Sequence, residues 1–130
     1  MKKQTKKILK KALKLRTKKE YIDSNLYLKN IIESDNSAYI NYQMAWSYDL
    51  LGEESKAVIF YLKALQGVEL KKKDQLECFI GLGSSYRVMG KYIEAQKNFE
   101  KALLIFLSNL VLKYFYAIAT SKFKKLLFIF

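Results

Sequence analysis

One feature limits what this chain can become more than any other: it repeats itself. Residues 45–65 and 83–103 align without a gap at a spacing of 38, and seven of the 21 paired positions are identical. The identities are Ser47/Ser85, Tyr48/Tyr86, Gly52/Gly90, Ala57/Ala95, Lys63/Lys101, Ala64/Ala102 and Leu65/Leu103. They fall on small, aromatic and turn positions, where chance similarity would scatter. Self-similarity at a fixed period is the mark of stacked supersecondary units. Each unit reads as two helices. Tyr39, Tyr42, Trp46 and Leu50 recur at helical spacing. Gly52 then stops that helix, because glycine enters the left-handed region without a Cβ penalty. A second helix covers residues 53–66. In the next unit Asp74 and Glu77 fit a capping box, Gly90 is the stop, and residues 91–106 form the second helix. Ala57 and Ala95 let neighbouring helices approach closely, with Tyr61 and Phe99 filling the space beyond.

The series Ala45, Tyr48, Gly52, Ala57, Tyr61, Ala64 and Gly83, Tyr86, Gly90, Ala95, Phe99, Ala102 resembles the tetratricopeptide repeat. The resemblance implies an all-α fold, a right-handed superhelical solenoid of antiparallel helix pairs. The family's usual repeat is 34 residues long, so the spacing of 38 places four extra residues in a loop at 68–73. A weaker copy precedes, with Ala12, Leu15, Lys19, Tyr21, Ser24, Leu28 and Ile31 in register. There Lys19 stands for the turn glycine, Ser24 for the alanine, and Asn36 lies near the family's frequent proline. A fourth copy starts with Asn109 as a helix cap and Ala117 as the small residue, then fails: Thr120 and Lys124 take the aromatic and glycine positions. The expected organisation is a single domain over 1–130, with about three repeats near 5–36, 38–70 and 76–107 and a degenerate fourth from 109. The abrupt loss of pattern is expected of a truncated or frame-shifted reading of a longer repeat protein. Repeat pattern recovered from the downstream nucleotide sequence in another frame would test that.

Composition narrows the chemistry. There is no histidine and a single cysteine, Cys78, so His-based triads, His-ligated metal and internal disulfides are excluded. No paired carboxylates or metal-ligand spacing stand out, and no catalytic residue, metal or cofactor is expected. The Gly81-Leu82-Gly83 run lacks the preceding strand that a nucleotide loop needs, and close helix contact explains Gly83 better. Cys78 is expected in the first turn of a helix as a small packing residue. The lone cysteine agrees with a reducing, cytoplasmic setting.

The net charge is +12, and its distribution matters more than its size. Residues 1–20 carry ten basic groups and one acid, whereas residues 21–107 are close to neutral. The basic segment lacks the unbroken apolar run of a secretory signal and reads as the first helix of a repeat. Lys71, Lys72 and Lys73 read as a solvated loop. The apolar stretch 103–119 is interrupted by Ser108, Asn109 and Lys113, which favours repeat packing over a membrane span.

By the resemblance, the first helix of each unit lines a concave surface. That surface would present Leu13 and Arg16, then Tyr39, Tyr42, Trp46 and Asp49, then Glu77, Ile80, Ser84 and Arg87. Aromatic and arginine side chains are common anchors of binding surfaces. Tyr42 and Trp46 could equally pack onto the next unit, and Asp49 and Arg87 could be solvated charges. The expected function is non-catalytic: a protein-interaction scaffold or adaptor holding a partner peptide or protein in the groove. Two alternatives remain. The basic first helix could bind nucleic acid or another acidic surface, or the apolar C-terminus, with Lys122, Lys124 and Lys125, could associate with a membrane or a second copy. Neither nucleic acid nor membrane is the expected partner.

Overall fold

A computed structural model describes the backbone of residues 1–129 and the side chains of residues 1–120. The described residues form seven helices and no strand: α1 Lys3–Thr17, α2 Tyr21–Ile32, α3 Ala38–Leu50, α4 Glu54–Gln66, α5 Lys72–Val88, α6 Tyr92–Ile105 and α7 Leu110–Ile129. Each helix packs on its successor in the chain. Beyond that, among the described residues, only α3 with α5 and α5 with α7 approach one another. Contact confined to near neighbours defines a solenoid, in which each unit is stable only as part of the stack.

The three hairpin turns are copies of one design. Lys19, Gly52 and Gly90 sit in the middle of the turns with φ of 64°, 73° and 77°. The next residue closes each turn onto the fifth carbonyl back: Glu20 N–H to Leu15 O (2.9 Å), Glu53 N–H to Tyr48 O (2.9 Å) and Lys91 N–H to Tyr86 O (2.8 Å). This is the bond pattern of a Schellman stop, which needs a left-handed residue at its centre. Two turns use glycine, and the first forces a lysine into the same conformation.

Small residues set the spacing between helices. Ala12, Ala45, Ala57, Ala64, Ala95 and Ala102 are all fully buried. Ser24 takes the place that alanine holds in the later pairs, and its hydroxyl donates to Ala12 O at 2.7 Å. A Cβ on Gly81 would overlap the Tyr61 ring, and one on Gly83 would overlap the Phe99 ring. The core has two clusters, one running from Leu9 to Leu82 and one built on Phe79, Phe99 and Leu112; Leu65 and Tyr86 pack against both.

Several local expectations need correcting. The connectors before α3 and α5 are both five residues long, 33–37 and 67–71. The four extra residues are therefore not a loop at 68–73. They add one turn to the start of α5, which has 17 residues where α3 has 13. Lysines 72 and 73 are helical, and Lys71 is the N-cap, making no side-chain cap bond. Asp74 is thus a first-turn residue that favours the helix dipole, and Cys78 lies beyond the first turn. Asn109 does cap α7, its Oδ1 accepting from Leu112 N–H at 3.0 Å. Ala117, expected as the small residue of a fourth pair, is exposed, because α7 runs on to Ile129 and no described helix returns across it. The side chains of residues 121–130, on which the expected C-terminal association depends, lie outside the described residues. No described helix is long and apolar enough to cross a membrane, and the described residues hold no cluster of metal-ligating side chains.

Candidate functional site: a groove between α3 and α5

The apolar spacing of α3 places Tyr39, Tyr42 and Trp46 in a row. Tyr39 meets Tyr42 edge-on at 6.2 Å between centroids, and Tyr42 stacks on Trp46 at 5.9 Å. Across from them, Glu77, Ile80 and Ser84 recur on α5. The two rows enclose a continuous groove in two sections of about 320 and 290 Å³, which share Tyr42, Trp46 and Glu77. Asp74 and Lys73 edge one section; Asp49, Tyr61, Ile80 and Ser84 line the other. Trp46 is 40% exposed, so its indole is available to a partner, whereas Tyr42 is buried and forms the floor.

Asp49 is committed to the framework. Tyr61 O–H donates to its Oδ2 at 2.7 Å, and Ser85 O–H donates to its Oδ1 at 3.2 Å. One carboxylate thereby ties α3 to α4 and α5. Burial pushes the Asp49 pKa above the usual carboxylate range, and the two hydrogen bonds only partly offset that. Burial and the bond to Asp49 likewise raise Tyr61. Tyr42 is raised by burial first, then by the charges of Glu77 and Asp74.

Arg16 reaches the site from α1. It is buried, with Nη1 donating to Gln43 Oε1 at 2.7 Å and Nη2 to Gln43 O at 3.1 Å. Its guanidinium lies 4.3 Å over the Trp46 ring. Burial lowers the Arg16 pKa.

The nine candidate residues thus separate by position. Tyr39, Tyr42, Trp46, Asp49, Glu77, Ile80 and Ser84 line the groove; Arg16 supports Trp46 from the side. Arg87 lies one turn past Ser84 on α5, lines neither section, and has a buried Nε without a hydrogen-bond partner. Leu13 is half-buried against the core and lines neither section. Sequence reasoning missed Gln43, Tyr61, Lys73, Asp74 and Gly81 as lining residues. Asp74 had a signal, since it stands three residues before Glu77 on the same face, but it was assigned to a cap. Gly81 belongs to the floor because the Tyr61 ring fills the space that a Cβ there would take.

Cys78 is fully buried, and burial pushes its thiol up to about 12. It therefore stays protonated and packs as a small apolar group.

An all-α array with neighbour-only contacts, repeated left-handed turns and a side groove defines a helical-repeat solenoid. The sequence profile of the tetratricopeptide repeat matches residues 38–66 and 76–109. The chain belongs to the tetratricopeptide-repeat family. Among curated protein sequences none matches it. Solved structures do. The Sgt2 TPR domain from Aspergillus fumigatus superposes with a TM-score of 0.80 at 16% identity, covering 95% of this chain and 82% of that one. The second TPR domain of human RPAP3, in complex with the HSP70 peptide SGPTIEEVD, gives 0.74 at 17% identity, with 85% and 90% covered. The Yersinia enterocolitica type III secretion chaperone SycD, in complex with a peptide of the translocator YopD, gives 0.76 at 12% identity, with 96% and 97% covered. At these identities the likeness is one of fold.

Proposed function

We propose that this protein is an interaction scaffold that holds an extended segment of a protein partner in the groove between α3 and α5. The observation that carries the reading is the groove itself, with an accessible indole on one wall and Ile80 and Ser84 on the other. Solved relatives of this fold, the RPAP3 domain and SycD, are seen with peptides, which supports peptide binding here.

The roles follow from position. Tyr39 and Trp46 supply contact area on rings with few rotatable bonds, so little entropy is lost on binding. Glu77 and Asp74 accept hydrogen bonds from the partner's backbone or cationic groups. Tyr42, Asp49 and Arg16 hold the walls in place, and Arg87 marks the far end. The whole chain acts as one binding unit, with repeats at 5–36, 38–70 and 76–107 and a partial one from 109. The use of the site is binding: Tyr42 and Tyr61 in its lining, and Cys78 buried behind it, have raised pKa values and are held as neutral, poor nucleophiles. The buried free thiol suits a reducing cytoplasm.

Capture of partners with the wild type and with Trp46→Ala plus Ser84→Arg tests the reading. The alanine removes the anchor and the arginine fills the opposite wall, so partners held in the groove should be lost. Full recovery of every partner by the variant, with helix content unchanged, rejects the groove.

A further inference from the structure

We propose that the α1–α2 end of the solenoid is a docking face for an anionic phospholipid bilayer. Lys3, Lys7, Lys11, Lys14 and Lys18 recur every three or four residues, so they form one stripe along a helix about 22 Å long. All five are exposed. Lys2, Lys6, Lys10 and Lys19 flank the stripe and are exposed too. Among the described residues the ion pair found is Lys56 with Glu53, so these ammonium groups are not held in salt bridges. Mutual repulsion of this kind is relieved by an anionic surface.

Beside the stripe lies a cleft of about 400 Å³ between α1 and α2, lined by Lys11, Leu15, Asp23, Leu26, Tyr27 and Asn30. Lys11 Nζ sits 4.9 Å over the Tyr27 ring, its stem along the cleft. Leu26 is 56% exposed, and Ile22, one turn earlier on α2, is 70% exposed. Asp23 is the one acid in the lining and Lys11 the one base, so the excess positive charge lies on the stripe beside the cleft. The cleft shares no residue with the α3–α5 groove, so both faces can be occupied together.

The chemistry of this face selects its occupant. Tracking a nucleic-acid backbone needs cations and hydrogen-bond donors, and exposed leucine and isoleucine contribute nothing there. The guanidinium that reads phosphates and bases best is absent from the stripe, since Arg16 is buried. A bilayer answers both features: its anionic headgroups take the ammonium groups, and Leu26 and Ile22 enter the headgroup boundary.

Cosedimentation of the full chain with phosphatidylcholine vesicles, with and without about 30 mol % phosphatidylserine, tests this. Binding is expected on the anionic vesicles alone, with release at about 0.5 M salt. Each lysine near an anionic surface contributes about fivefold in affinity, so Lys7→Glu, Lys11→Glu and Lys14→Glu together should cost about 100-fold or more. The milder Lys→Gln set should act in the same direction if charge reversal disturbs α1. Ile22→Ser with Leu26→Ser should weaken vesicle binding several-fold while leaving affinity for a DNA duplex unchanged. The proposal is overturned by equal binding to neutral vesicles, by undiminished binding of both lysine variants, or by a DNA duplex that binds more tightly than the anionic vesicles.

Discussion

The guanidinium of Arg16 lies 4.3 Å over the indole of Trp46 while donating to both the side chain and the backbone of Gln43. The helices that carry these residues, α1 and α3, do not approach each other through their backbones. A long, flat side chain therefore joins two helices whose backbones stay apart, and it braces one wall of the groove. Arginine suits the task because its planar fork can stack and donate at once. Arg16→Ala should cost about 2–3 kcal/mol, from the lost charge-assisted bonds and stacking. Arg16→Lys should recover only part of that. Trp46 is the sole tryptophan, so the check is direct: its emission should shift to the red in both variants, and chemical denaturation should report the lost stability. An unmoved spectrum would show that Trp46 is positioned by α3 alone.

Asp49 makes a second prediction, and here the sign of the pH effect separates charge from hydrogen bonding. Asp49→Ala leaves the Tyr61 and Ser85 hydroxyls without their acceptor and should cost about 1–3 kcal/mol. Asp49→Asn keeps an acceptor for Tyr61 and removes the buried charge, so it should lie close to wild type at neutral pH. The native pKa of Asp49 is raised by burial. Between the ordinary carboxylate value and the raised one, the native state holds a proton that the unfolded chain has released. Stability from this group therefore falls as pH rises through that interval, and is constant above it. Subtracting the stability–pH curve of Asp49→Asn from that of wild type should show this decline. A difference that grows with pH would mean that the carboxylate is favoured by its hydrogen bonds.

The parts of this fold visible in the sequence are those set by local rules. Glycine at a left-handed stop and alanine at a helix crossing leave the same mark in each repeat, and Gly52, Gly90, Ala57 and Ala95 stand where that pattern requires. Even the first turn was legible, because Lys19 holds the same register. What escaped was length and long-range partnership. Four extra residues read equally well as loop or as helix, since Lys71, Lys72 and Lys73 suit both; only the matching five-residue connectors decide for helix. The burial of Arg16 was hidden for another reason. Its partner Gln43 is 27 residues away, on a helix that periodicity gives no cause to pair with α1. Periodicity likewise put Tyr42 and Trp46 on one face, but their different exposure depends on where α5 lies.

Gly83 carries a sharp packing test. Its missing side chain is filled by the Phe99 ring, and both residues are buried. Gly83→Ala improves intrinsic helix propensity by about 1 kcal/mol. Overlap with the ring should outweigh that and leave a net loss of about 1–3 kcal/mol. Phe99→Leu alone opens a cavity, yet in the double variant it should return part of what Gly83→Ala loses. A thermodynamic cycle measures that coupling; additive losses would mean that the ring swings aside without cost.

Lys19 offers the opposite case, a site where the native residue is strained. Its φ of 64° lies in the region that L side chains disfavour, whereas Gly52 and Gly90 meet the same requirement freely. A left-handed conformation costs about 1–2 kcal/mol for a residue with a Cβ. Lys19→Gly removes that cost but adds freedom to the unfolded chain, so a net gain of about 0.5–1 kcal/mol is expected. Lys19→Asn should give a smaller gain, because asparagine tolerates the left-handed region better than lysine does. Lys19→Val should destabilise, since a branched Cβ makes the clash worse. Thermal melts of the three variants should therefore rank glycine, asparagine, wild type and valine in that order. Any order that puts valine above wild type would show that the first turn relaxes out of the Schellman geometry held by the Glu20–Leu15 bond, and that the α1–α2 pair is set by packing of Ala12 against Ser24 instead.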